Sequence, residues 1–121
     1  MEKLFEYHQF SMHQALIQKD VDGVKKSLQK PNFDINAVDN ENNSYLIMIS
    51  SMDKDQNRIK IMELLIDADI DWNITNIYGN DFLTFTRNNK YGYYEKDYWI
   101  EKYPEKYHMY LIYKKTKDFN L

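Results

Sequence analysis

The chain has no cysteine among its 121 residues, which excludes disulfides and thiolate metal sites. Glycine occurs three times, too seldom for a phosphate-cradling loop, and no G-x-S-x-G elbow is present. The three histidines, His8, His13 and His108, form neither an H-x-x-x-H nor an H-E-x-x-H pair. His8 and His13 would sit roughly 140° apart on a continuous helix, which argues against a shared metal. Apolar runs are short, as at residues 46–49, far below the roughly 20 residues that span a bilayer. The opening MEKLFEYHQF carries acidic residues and no apolar h-region, against a secretory signal. A concentrated basic face is also missing. Residues 1–89 hold nine Lys or Arg against fourteen Asp or Glu, and residues 90–121 hold seven against five. These absences lead to the expectation of a soluble, cytoplasmic, non-enzymatic protein with no cofactor, metal, small-molecule substrate or membrane partner. Its mildly acidic body favours a basic protein partner over nucleic acid.

What is present is a repeat. DINAVDNENNSYL from Asp34 and DWNITNIYGNDFL from Asp71 align without a gap, so that Asp34 falls on Asp71, Asn36 on Asn73, Asp39 on Asn76, Asn43 on Asn80 and Leu46 on Leu83. The alignment extends backwards, Val24 onto Ile61 and Leu28 onto Leu65. A turn and the helix before it therefore recur together, the signature of stacked supersecondary units. Hydrophobic content of 43% with 16% aromatics supports a packed core despite a mean hydropathy of −0.76, and the length suits one domain.

Local patterns predict an all-α fold. Two short helices are expected between Phe10 and Leu28, the second with Val21, Val24 and Leu28 on one stripe, Asp20 as N-cap and Pro31 as its stop. Asp34 to Asn43 reads as a polar turn, and Ser44 caps a helix through Ile49. Ser50 to Arg58 is expected to be a longer loop in which Asp53 and Asp55 are simply solvated. Ile59 to Ile66 resumes a helix with apolar residues on both flanks, as expected of one buried between neighbours. Asp69 to Asn80 repeats the turn chemistry, with Gly79 available for positive φ, and Asp81 caps a third helix. The alternating Asp67, Asp69 and Asp71 lack the ligands and glycine of a calcium loop and read as a solvated turn. Pro104 separates two final helices, about Glu95 to Lys102 and Glu105 to Lys115.

These residues resemble ankyrin repeats. ALIQKDVDGVKKSLQK is similar to the end of one unit and FDINAVDNENNSYL to the finger and helix start of the next, with Ser44, Tyr45 and Leu46 where the family places Thr, Pro and Leu. IMELLIDADIDWNITNIYGNDFL matches best, including Asn73, Gly79 and Leu83. The resemblance covers roughly residues 10–87. It departs in having no Pro at either T-P-L-H position, Ile47 and Thr84 in place of the His, and one unit four residues longer than usual. It implies a short stack of two to three helix pairs, with residues 88–121 as a Tyr-rich helical cap over its open end.

Function follows from the resemblance. Ankyrin-like proteins commonly bind other proteins through the turns, here Asn40, Glu41, Asn42, Ile77 and Tyr78, with the aromatic loop residues Tyr91, Tyr93 and Tyr94 as further candidates. Large apolar residues at an exposed turn cost solubility unless a partner covers them. With little in this sequence beyond repeats and cap, the expected action is stoichiometric occlusion of a partner, as in an immunity protein that neutralises a toxin. A host-interaction or scaffold role is the alternative. Eight of the eleven Tyr lie between Tyr91 and Tyr113, interleaved with Lys90, Lys96 and Lys102, which leaves base stacking beside phosphate contacts as a further alternative.

Overall fold

Short polar side chains punctuate the chain and decide where each helix begins. The computed structural model describes residues 11–86 and 95–119. After helix α1 at residues 11–17, α2 runs Val21–Leu28, α3 Tyr45–Ser50, α4 Gln56–Asp67, a 3-10 helix Phe82–Thr86, α5 Glu95–Lys102 and α6 Pro104–Phe119. The fold is all-α, and among the described residues the nearest thing to a strand is the isolated bridge between Val38 and Ser44. Asp20 caps α2 by accepting the Gly23 amide at 3.0 Å, and Ser44 caps α3 by accepting that of Ile47 at 3.2 Å. Such caps satisfy helix-start amides that have no intrahelical acceptor, and each is worth about 1 kcal/mol. Gly23 is needed for close approach: a Cβ there would lie 2.7 Å from the Asp20 carboxylate and 3.1 Å from the Ala15 side chain of α1.

Two boundaries differ from expectation. The segment expected to be a loop through Arg58 turns helical at Gln56, because Asp55 caps α4 by accepting the Arg58 amide at 2.8 Å. Asp55 is also not merely solvated: the Lys19 ammonium lies 2.6 Å away, and that hydrogen bond holds its carboxyl below the usual range. The third helix, capped as expected by Asp81, is a 3-10 helix. α2 ends at Leu28 as expected, three residues before Pro31, whereas α6 begins at Pro104 itself and runs to Phe119, four residues past its expected end.

The sequence repeat is also a geometric repeat. The Asp34 carboxylate accepts the Asn36 amide at 3.0 Å, and Asp71 accepts that of Asn73 at 2.8 Å. Asp39 takes the amides of Glu41 and Asn43 at 2.9 and 2.8 Å, while Asn76 takes those of Tyr78 and Asn80, both at 3.0 Å. Positive φ recurs as well, at Asn32 (62°) and Asp69 (71°), then at Asn42 (63°) and Gly79 (78°). Asn and Gly tolerate this left-handed region, so one finger is built with each. Val24, Ile61 and Leu65 are fully buried in one interior, and Leu28 packs against it.

α4 packs against α3 and α2, and α3 against the 3-10 helix. Burial of Ile61 and Leu65 together with Met62 and Ile66 accounts for the two apolar flanks of α4. The far side of this body is covered by α5 and α6. Trp72 and Phe82 meet edge to face at 4.8 Å, and the rings of Tyr103 and Tyr110 approach Trp72 at 6.4 Å each. Polar tethers flank the aromatics: Tyr103 donates to Asp67 at 2.9 Å, Lys106 meets Asp69 at 2.7 Å, and Lys102 bonds Glu63. Asp81 accepts the Tyr110 hydroxyl at 2.5 Å and faces the Lys114 ammonium at 3.2 Å. Burial and this carboxylate push the Tyr110 hydroxyl up to about 12, so it stays a donor throughout the physiological range. Tyr110→Phe is expected to lower stability by about 1–3 kcal/mol, since it takes a donor from a buried carboxylate. A urea denaturation midpoint measures it.

Candidate protein-binding surface of the two fingers

The two polar turns stand side by side and are tied to each other from base to tip. At the base, the Asp71 amide donates to the Asn36 side-chain oxygen at 2.8 Å. Midway, Asn76 Nδ2 donates to Asn43 Oδ1 at 3.1 Å, and Asn42 Nδ2 to the Thr75 carbonyl at 2.6 Å. At the tip, the Ile77 amide donates to the Glu41 carbonyl at 2.9 Å, and the Tyr78 hydroxyl to the Glu41 carboxylate at 2.6 Å. That carboxylate raises the pKa of the Tyr78 phenol, keeping it protonated and donating. Each finger is thus braced internally by Asx-type bonds and externally by its neighbour.

Five expected contact residues, Asn40, Glu41, Asn42, Ile77 and Tyr78, are brought together at this tip, and all are exposed. Ile77 retains 64% and Tyr78 67% of its accessible surface. Asn42 and the Glu41–Tyr78 pair also hold the two fingers together, a structural part that the sequence reading did not assign to them. Tyr91, Tyr93 and Tyr94 lie outside the described residues.

Charge is segregated around the fingers. Neither residues 31–53 nor residues 67–86 contain a Lys or Arg, while each stretch contains four acidic residues. Among the described residues, no basic side chain pairs with Asp39 or Glu41. On α5 and α6, Lys102, Lys106 and Lys114 are engaged by Glu63, Asp69 and Asp81. Below the first finger, between α1, α3 and the 3-10 helix, lies a hollow of about 200 Å³. Its apolar walls are Leu16, Ile17, Ile47, Met48, Met52 and Phe85, and Asn43 and His13 also line it.

The other acidic candidates have diverging partners. Asp67 faces Tyr103, Asp69 faces Lys106, and Asp71 caps its own turn, so the three carboxylates do not converge. No group of His, Cys, Asp or Glu among the described residues could hold a metal ion, and no helix there is long and apolar enough to cross a membrane.

Sequence reading missed the buried ionic cluster that joins the end of α3 and the starts of α4 and α5. Arg58, 0% exposed, places its guanidinium 2.5 Å from Glu95, 2% exposed, and donates to the Ser50 carbonyl at 2.8 Å. Trp99 Nε1 donates to the same Glu95 oxygen at 3.1 Å, and Lys54 approaches the other oxygen at 3.3 Å. The repeat offset held the clue, because Arg58 to Glu95 is the same 37-residue step that relates the fingers. Compared with protein families, curated proteins and solved structures, the chain matches no family model, no curated protein and no solved structure.

Proposed function

We propose that this chain is a protein-binding module, a short ankyrin-like stack that acts by gripping one partner protein stoichiometrically and occluding its active surface. The observation that carries this reading is the exposed Ile77 and Tyr78 pair at a tip braced by four cross-finger hydrogen bonds. A rigid tip loses little conformational freedom on binding, so more of its contact energy remains as affinity. Tyrosine is also among the residues enriched at the centre of protein interfaces.

An immunity protein that neutralises a toxin is the concrete form of this action that fits best, with a basic partner surface facing the acidic fingers. A host-interaction or scaffold role would use the same surface. Engagement of Lys102, Lys106 and Lys114 by carboxylates weighs against the nucleic-acid alternative, which needs free cations beside its aromatics.

The test is capture of the partner from native cells followed by titration of the purified pair. Ile77→Arg is expected to abolish 1:1 binding, and Tyr78→Ala with Glu41→Ala to weaken it at least about tenfold, since interface centres carry most of the affinity. Ile77→Arg should melt within a few degrees of the parent because the position is exposed, and the double variant nearly so, since the cross-finger bond it removes is a single exposed one. Unchanged binding by all of them would remove the finger tip as the contact surface.

A further inference from the structure

Resting on the protein-binding reading, we infer that the hollow beneath the first finger takes one large apolar side chain of the partner, and that the residues beside this anchor are lysines or arginines set against Asp39 and Glu41. The hollow's size fits a single side chain. An engineered cavity of about 150 Å³ holds a benzene molecule, and this one measures about 200 Å³. Its walls are mostly apolar, with His13, Asn43 and Ser51 as the polar exceptions, and two of the apolar residues are methionines, whose unbranched and polarizable side chains adapt to an entering group. At its rim, Ile17 remains 54% exposed on α1.

The hollow and the acidic finger are joined by one residue. Asn43 lines the hollow, and its Nδ2 donates to the Asp39 carboxylate at 3.1 Å. Asp39 in turn accepts the Glu41 amide at 2.9 Å. A partner side chain seated in the hollow therefore carries its chain neighbours up the finger, past two carboxylates that have no basic partner among the described residues. Residues 31–53 contain no Lys or Arg, so the first finger itself sets no basic side chain against an incoming cation. The apolar site supplies affinity, and the charge pattern selects a basic segment over an acidic one.

The test uses short fluorescein-labelled peptides with the intact protein, read by anisotropy. The probe alternates lysine and leucine, and its controls replace either every lysine by glutamate or every leucine by serine. The parent should bind the lysine–leucine peptide and neither control, and added salt should weaken the complex. Ile17→Ser should weaken binding by about tenfold through loss of the apolar rim. Glu41→Gln, which keeps an acceptor for Tyr78, should weaken it by about threefold. Circular dichroism melts confirm that each variant is folded. Equal binding of the serine control would overturn the anchor, and equal binding of the glutamate control would overturn the charge pairing. No binding by any peptide, or none of the expected losses in the variants, would overturn the inference as a whole. If a native partner is lost with Ile77→Arg yet unaffected by Ile17→Ser and Glu41→Gln, the anchor fails while the module reading stands.

Discussion

Truncating Arg58 to alanine is expected to cost about 3–5 kcal/mol, the penalty for breaking a buried ion pair by removing one partner. The guanidinium is wholly shielded from water and makes two bonds, one to the Glu95 carboxylate and one to the Ser50 carbonyl. Its loss leaves a carboxylate at 2% exposure, contacted by the Trp99 indole and by Lys54 at 3.3 Å, together with a carbonyl that has lost its donor. Small domains are stable by only about 5–15 kcal/mol, so this one change removes a large share. Arg58→Lys should recover only part, since an ammonium cannot reproduce the planar fork that reaches both acceptors. Urea midpoints of the three proteins measure the difference. A midpoint for Arg58→Ala within experimental error of the parent would contradict the buried pairing.

Trp99→Ala is expected to be comparably severe, about 3–5 kcal/mol, as for other large-to-small changes in a packed core. Trp99 is fully buried, stacks on Tyr103 at 6.3 Å and meets Tyr98 edge to face at 4.9 Å. The change opens a void where α5 meets the body of the fold and also takes the indole N–H from Glu95. Trp99→Phe separates the two effects. It keeps most of the packing while removing the donor, and should cost about 1–3 kcal/mol. Guanidinium unfolding followed by far-ultraviolet circular dichroism ranks the variants, and the account requires Trp99→Ala to be the weaker of the two.

The all-α class, most helix positions and the recurrence of the finger chemistry could be read from the sequence because they rest on local rules. Asp34 and Asp71, or Asp39 and Asn76, bond amides within four residues, so their type and spacing report the turn directly. Val24, Ile61 and Leu65 announce their burial by helical period. Arg58 and Glu95 escape such rules, since a charged residue reads as surface until its partner, far away in sequence, is known. The onset of α4 at Gln56 was hidden for a related reason: the first turn is polar, and Asp55 looked like one more loop carboxylate.

The candidate surface was partly legible. Exposure of Ile77 and Tyr78 follows from their place at the tip of a turn. The Tyr78 to Glu41 bond and the Ile77 to Glu41 backbone bond depend on two turns meeting, which no single stretch encodes. The hollow beneath the first finger combines Ile17, Met48 and Phe85 from three elements, and only packing brings them together.

Two like modules stand side by side with their fingers joined by hydrogen bonds, and in the proposed function their shared tip is what a partner protein meets. Amide hydrogen exchange at Ile77, whose N–H reaches across to the Glu41 carbonyl at 2.9 Å, tests it most directly. This exposed residue should exchange far more slowly than an unstructured loop amide, at a rate set by local opening of the paired fingers. Exchange at the free-loop rate would mean that the fingers do not join and that the tip is not held rigid.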